Sequence, residues 1–176
     1  MTKKEFMNSV SNDKEDILQQ LLDLLNDMKI DYCVIGGLAV NAYVEPVVSL
    51  DLDLVVVAET IDSLLKAAEK IFNIERFPHS FNLNSTKSDL RIQLQTDLRY
   101  QAFIPRSSIK ETMGYKMKVA DLEDVLQGKI WAYSDEQRRK SKRQKDLADI
   151  FRLVEAYPRL KEKLPESLKN VEFIKV

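Results

Sequence analysis

The sequence predicts an α/β (α+β) fold, a small mixed β-sheet flanked by helices, with a C-terminal helical part. Three observations carry this. Residues 32–57 read YCVIGGLAVNAYVEPVVSLDLDLVVV: a short apolar run ends in Gly36-Gly37, a brief helix-compatible stretch follows, and strand character resumes after Glu45-Pro46. Farther on, residues 77–84 and 90–96 are separated by the turn residues Ser85-Thr86-Lys87-Ser88, the pattern of a hairpin. From Asp121 onward, apolar residues recur at helical spacing. With 176 residues, 44% of them hydrophobic, the chain can bury a core of its own. The expected organisation is one compact unit, an α/β core with its N-terminal helix over residues 1–118 and a helical part over 119–176 packed on it.

Taken in order, residues 1–12 are polar and without period, so a loose start is expected. Asn12 or Asp13 then caps a helix to about residue 28, whose core face is Ile17, Leu21, Leu24, Leu25 and Met28. A strand at 32–35, the glycine turn and the short helix come next; Cys33, the sole cysteine, reads as a core thiol. Over residues 49–54 polar and apolar alternate, so Ser49, Asp51 and Asp53 share one face of a strand while Leu50, Leu52 and Leu54 take the other. The apolar stretch from Leu52 to Val57 makes this strand look central. Thr60 caps a helix carrying Ile61, Leu64, Leu65, Ala68, Ile71 and Phe72. In the hairpin, Phe81 and Leu83 face inward, as do Leu90, Ile92 and Leu94, which sends Arg91, Gln93 and Gln95 toward Asp51 and Asp53. His79, the only histidine, reads as structural or superficial. Residues 99–113 read as a connection, with Arg99 and Arg106 as candidates for a cleft mouth, and 115–120 as a strand. Asp121 caps a helix with Leu122, Val125, Leu126, Ile130 and Trp131 as its stripe. A last long helix spans 146–156 and stops at Tyr157-Pro158; residues 159–176 hold a short helix near 165–170 and a peripheral tail.

Two like charges fixed side by side oppose each other's ionisation unless something positive lies between them. For Asp51 and Asp53 a divalent cation is the usual answer. Oxygen donors point to Mg²⁺ or Mn²⁺, which bind through one or two carboxylates and complete their shells with water and substrate phosphates. The competing reading is an edge strand whose acids are merely solvated, against which the apolar stretch 52–57 argues. Gly36 and Gly37 add backbone N–H groups at a helix start, where anions bind. A nucleoside triphosphate (NTP) fits this arrangement.

Arg138-Arg139-Lys140-Ser141-Lys142-Arg143-Gln144-Lys145 is the one strong charge block, either a solvated helix connection or a grip on an acceptor's phosphates, RNA for example. The formal net charge of −1 excludes a general basic field toward nucleic acid or acidic lipid. The start, Met1-Thr2-Lys3-Lys4-Glu5, has no signal-peptide pattern and no apolar run approaches a membrane span, so a cytoplasmic location without a membrane partner is expected.

The ordered set Gly36-Gly37, Ala39, Ser49, Asp51 and Asp53 resembles the nucleotidyltransferase superfamily typified by DNA polymerase β. Residues 119–129 (VADLEDVLQGK), with Arg143-Gln144-Lys145-Asp146-Leu147-Ala148-Asp149-Ile150, are similar to a helical motif of its AbiEii/AbiGii toxin-type group of small bacterial enzymes. Together these segments cover most of residues 31–158. The resemblance implies a nucleotidyltransferase-like fold and Mg²⁺-dependent transfer of a nucleoside monophosphate from NTP to an acceptor hydroxyl. RNA or tRNA is the first acceptor it suggests, and a toxin–antitoxin or abortive-infection role, with an antitoxin protein as partner, comes with it. It implies Asp51 and Asp53 as catalytic metal ligands and Asp146 as a further catalytic candidate that positions the acceptor or a lysine. Gly36, Gly37, Ser49, Lys129 and Lys145 are the nucleotide contacts it implies. Without it, Lys129 reads as a snorkelling surface lysine and Asp146 as an acid favouring a helix N-terminus.

Two positions depart from the superfamily's pattern. The third carboxylate, usually two residues after an arginine, is here Gln93, whose amide oxygen supplies a ligand position without charge. Before the first aspartate, Val47-Val48 stand where many relatives carry an arginine. Gln93 keeps open a second reading, a catalytically degenerate nucleotide-binding or interaction module, and a third is a plain interaction protein such as an antitoxin partner.

Overall fold

The computed structural model describes residues 1–171. Helix begins at once. α1 (Lys3–Val10) opens on a capping box, in which Glu5 N–H donates to Thr2 Oγ1 at 3.1 Å and Thr2 N–H to the Glu5 carboxylate at 2.6 Å. A loose start is thus not what these residues form; the cap and the buried Met7 outweigh the missing period. Asn12 adopts φ 51° and delays the next helix, so α2 (Ile17–Asp27) is capped by Asp16 and not by Asn12 or Asp13. β1 (Tyr32–Ile35) runs directly into α3 (Gly36–Val40), and an irregular loop leads to β2 (Asp51–Val56). A 3-10 turn (Ala58–Thr60) precedes α4 (Ile61–Ala68); Thr60 Oγ1 donates back to the Val57 carbonyl at 2.6 Å instead of capping that helix.

β3 (Asn73–Phe77), β4 (Ser80–Ser85) and β5 (Ser88–Gln95) form a meander. No apolar alternation announces β3, because it is an edge strand with nearly all its residues exposed; the strand expected at 77–84 therefore starts at Ser80, after a turn at Pro78-His79. A long 3-10 stretch (Leu98–Arg106) then reaches the hairpin of β6 (Ser108–Thr112) and β7 (Tyr115–Val119). β6 is the other edge, its Ile109 70% exposed, and it too escapes a reading by periodicity. α5 (Leu122–Ser134) is followed by α6 (Lys140–Ala156), a 3-10 turn (Pro158–Lys163) and α7 (Glu166–Lys169). The long helix thus begins six residues earlier than its apolar stripe suggests and takes most of the basic block into its first turns. The end of the expected tail, 172–176, lies outside the described residues.

The sheet is mixed, with strand order β3-β4-β5-β2-β1-β7-β6. β2 lies inside it, antiparallel to β1 and parallel to β5, and its Leu52, Leu54, Val55 and Val56 are fully buried. Burying a leucine contributes about 1.5–3 kcal/mol, and a slip by one residue would exchange Leu52 and Leu54 for Asp51 and Asp53. The register is fixed accordingly. It sets Asp51 beside Arg91 and Asp53 beside Gln93 on β5, and Asp53 beside Ile35, the last residue before Gly36, on β1. α2 packs against α4 and β5, whereas α5 and α6 pack on each other and on α3. Among the described residues no helix is long and apolar enough to cross a membrane.

Candidate functional site

Asp53 and Gly36 make the floor of the site. Gly36 has φ +71°, a conformation that costs other residues about 1–2 kcal/mol, and a Cβ built on it would lie 2.3 Å from Asp53 Oδ2. Only a glycine lets the chain pass so close to that carboxylate. Among the described residues no side chain hydrogen-bonds or ion-pairs directly with Asp53. Burial pushes its carboxyl above the usual range; Lys129, Arg138 and Lys142 pull it down from a distance, and Asp51 pushes it further up.

Asp51, on the same face of β2, is treated differently. Its Oδ1 lies 2.7 Å from Arg91 Nε and its Oδ2 3.0 Å from Lys142 Nζ. Burial would raise its carboxyl, but the hydrogen bond and charge of Lys142, with those of Arg91, prevail and hold it below the usual range. Ser49 serves the same residue, its Oγ accepting from Asp51 N–H at 3.2 Å.

The helices contribute a second set of charges. Lys129 on α5 is buried and its Nζ lies 3.0 Å from Asp146 Oδ1 and 2.7 Å from Asp149 Oδ2. Burial works against the ammonium, yet Asp149 and Asp146 outweigh it and raise its pKa. Asp146, 1% exposed, also accepts from Arg138 Nε at 2.6 Å, and Asp149 from Arg152 Nη1 at 2.7 Å. Arg152 extends the chain of contacts to Asn41 Oδ1 and the Glu45 carbonyl, clamping α6 to the loop after α3. Lys129 is accordingly not a snorkelling surface residue.

These groups border a cleft of about 580 Å³, a size usual for small-molecule sites. Gly36, Asp53, Gln93, Lys129, Arg138 and Asp146 line it together. Its far wall is aromatic. Tyr100 stands edge-on to Trp131 at 5.2 Å, Phe103 stacks on one face of Trp131, and the Arg99 guanidinium lies 4.7 Å from the same indole. Burial pushes the Tyr100 hydroxyl up to about 12. His79 lies at the border of the cleft, exposed.

Of the residues singled out in the sequence, Gly37, Ser49, Asp51 and Lys145 do not line this cleft. Gly37 faces Ser49 and Asp149, Asp51 stands beside Asp53 under its two cations, and Lys145 is exposed. Arg106 is not at the cleft mouth either; it forms a two-pronged pair with Asp124 at 2.8 Å, whereas Arg99 is at the mouth. Asp89 and Asp97, the acids nearest Gln93 along the chain, are engaged by Asn12 and by Arg99. Sequence reasoning missed the inward turn of Arg138 and Lys142, because a run of basic residues does not say which of them face in. One signal was available: Lys142, Asp146, Asp149 and Leu153 follow one another at steps of four, three and four, a single helix face.

A hard cation suits Asp51 and Asp53 by donor chemistry, two carboxylates with the amide of Gln93 at the next register position. Gln93 Nε2 donates to Ser80 Oγ at 3.0 Å, so the amide is oriented by β4. Among the described residues no group of three His, Cys, Asp or Glu side chains could enclose a metal. The donor set fits Mg²⁺ carried in with a substrate's phosphates better than an ion caged by protein alone.

No family model matches this sequence, and no curated protein matches it. Solved structures do match in fold. The antibiotic-resistance factor ANT(2'')-Ia, in complex with adenylyl-2''-tobramycin, aligns with a TM-score of 0.65 at 15% identity, over 84% of this chain and 91% of its own. The lincomycin-bound lincosamide antibiotic adenylyltransferase LnuA aligns with a TM-score of 0.55 at 16% identity, over 79% and 97%. For a putative nucleotidyltransferase from Thermotoga maritima the values are 0.55 and 17%, over 85% and 96%. The likeness at such identities is one of architecture, and it bears out the nucleotidyltransferase-like α/β fold expected from the sequence.

Proposed function

We propose that the protein transfers a nucleoside monophosphate from an NTP to an acceptor hydroxyl, with Mg²⁺ or Mn²⁺ held by Asp51 and Asp53. The observation that carries this reading is Asp53, a carboxylate with no side-chain cation of its own among the described residues, set against Gly36 at the floor of a cleft large enough for a nucleotide. When bound, the cation would neutralise phosphate charge and polarise the α-phosphoryl group. Gly36 and Gly37 offer backbone N–H donors, and Lys129 and Arg138 supply positive charge at the cleft wall. Asp146 acts through them, fixing the orientation of both. The acceptor oxygen forms its bond to the α-phosphorus, the bond from that phosphorus to the β-phosphate oxygen breaks, and pyrophosphate leaves while the hydroxyl proton passes to solvent. Positioning and charge stabilisation supply most of the catalysis in such transfers.

RNA is the acceptor we propose, on the exposed Arg139, Lys140 and Lys145 beside the cleft helices. The competing outcome is a small antibiotic-like acceptor, of the kind seen with two structural neighbours, lincomycin with LnuA and adenylyl-2''-tobramycin with ANT(2'')-Ia. Labelled NTP incubated with RNA and with such compounds separates them. Membership of the AbiEii-type group, and a toxin–antitoxin role with it, is a further proposal resting on the Lys129 and Lys145-Asp146 motif; growth arrest on expression is its test.

The test of the main reading is thermal unfolding with each of the four NTPs, with and without Mg²⁺. Free ligand at about 100 times its dissociation constant stabilises by about 2.7 kcal/mol. A metal-dependent rise that Asp51→Asn/Asp53→Asn abolishes supports the reading, and no rise with any NTP overturns it. Gln93 favours a second reading, a module that binds NTP and does not transfer it, since the neutral amide beside Asp53 holds a second cation less well. Under it, wild type binds NTP without turnover and Gln93→Asp creates or raises transfer. Turnover by the wild type rejects it.

A further inference from the structure

Among the described residues, Asp51 carries two side-chain cations where its neighbour Asp53 carries none. Arg91 takes one oxygen and Lys142 the other, so both faces of the carboxylate are engaged. The two cations have different origins. Arg91 is the cross-strand neighbour of Asp51, put there by the sheet register. Lys142 arrives from a helix 91 residues later in the chain. Its setting on α6 is unusual: the helix opens on Arg139 without a side-chain cap, holds no acid in its first turn, and places Lys140 and Lys142 there with Arg143 next. Cations at a helix N-terminus oppose the helix dipole. Helix stability therefore does not account for Lys142, and among the described residues Asp51 is its one ion-pair partner.

On the reading of this site as a nucleotidyltransferase, we propose that Lys142 is a phosphate-positioning residue, which pairs with Asp51 until that carboxylate takes a divalent cation and then transfers to the triphosphate. A divalent ion and two monovalent cations on one carboxylate repel one another at contact distance. Arg91 projects from the neighbouring strand with 62% of its side chain exposed and can withdraw to solvent. Lys142 ends a flexible four-carbon stem at Asp51, which shares a strand face with the cleft-lining Asp53, and its ammonium is a compact point charge suited to phosphate. Two consequences follow. Lys142 competes with the metal for Asp51 when no nucleotide is bound, and it holds the nucleotide once metal and nucleotide enter together.

The experiment is Mn²⁺ titration followed by electron paramagnetic resonance of the free ion, alone and with non-hydrolysable analogues of the four NTPs, on wild type, Lys142→Ala and Lys142→Arg. Loss of a half-buried competitor tightens Mn²⁺ binding alone by up to about fivefold in Lys142→Ala. Loss of a charged phosphate contact weakens Mn²⁺-nucleotide binding in the same variant by about tenfold or more. Lys142→Arg keeps nucleotide binding near the wild-type value. Opposite shifts in the two titrations are the expected result, because a merely structural lysine would move both the same way. Wild-type nucleotide binding that Lys142→Ala leaves unchanged, or a weakening of both titrations together, overturns this proposal alone. Absence of any Mn²⁺-dependent nucleotide binding in the wild type overturns the functional reading and the proposal with it.

Discussion

Two pairs of aspartates, each with one member lining the cleft, Asp146 and Asp53, differ in how completely they are paired. On α6, Asp146 and Asp149 are matched by Lys129, Arg138 and Arg152, each within 3.0 Å, and the set is largely buried. On β2, among the described residues, Asp51 has two cations and Asp53 has none, although both carboxylates share one strand face. A neutralised buried set braces the fold, since a charge removed from water must be paired where it stands. An acid left without a partner in the same region raises the free energy of the folded protein, and a ligand that arrives later can recover it. Charge pairing thus sets Asp146 and Asp149, which hold α5 to α6, apart from Asp53, the acid to which the proposed function assigns a cation.

The largest effect should come from breaking the brace. Lys129→Met leaves Asp146 and Asp149 without their shared cation, and loss of one partner from a buried pair costs about 3–5 kcal/mol. Chemical denaturation measures it; a loss below about 1 kcal/mol would remove the distinction between the two pairs. Next comes Gly36→Ala, which requires a left-handed conformation at about 1–2 kcal/mol and drives a methyl into Asp53. The paired control is Gly37→Ala, whose Cβ would meet nothing nearer than 3.7 Å and which should stay within about 0.5 kcal/mol of wild type. Equal effects at the two glycines would deny Asp53 its place against Gly36.

The smallest effects are the most diagnostic, because their signs differ. Asp51 has a lowered pKa in the folded protein, so it stabilises above the ordinary carboxylate range and that contribution is lost as pH falls through its own value. Asp51→Asn should lower the melting temperature at pH 7, by no more than about 1 kcal/mol for pairs this exposed. Asp53 has a raised pKa, so the folded protein holds that proton the more tightly; stability is greatest below the ordinary range and falls as pH rises through the elevated value. Asp53→Asn should therefore raise the melting temperature at pH 7, with the gain closing toward acid pH. Melting curves of both variants against pH check this, and a loss on Asp53→Asn at neutral pH would place Asp53 among the structural acids.

Much of this site could be read before any coordinates. The Gly-Gly turn and the alternation through Asp51 and Asp53 are local patterns, whereas the alignment of Gln93 with Asp53 rests on the register, which burial of Leu52 and Leu54 enforces. Edge strands β3 and β6 were not legible, since an exposed strand has no apolar face to announce it. The basic block misled by its density: eight residues of one composition divide into Arg138 and Lys142, which reach acids of the site, and Arg139, Lys140 and Lys145, which stay outside.

What the sequence by itself determined is the local order, strand, glycine turn, acidic strand and the Asp121 helix cap, because each depends on neighbours within a few residues. Only the tertiary structure decided which cation meets which acid. Ion pairs between Lys142 and Asp51, or Lys129 and Asp149, join residues that no local pattern relates, and a side chain long enough to turn either way commits itself only when the opposite wall of the cleft is in place.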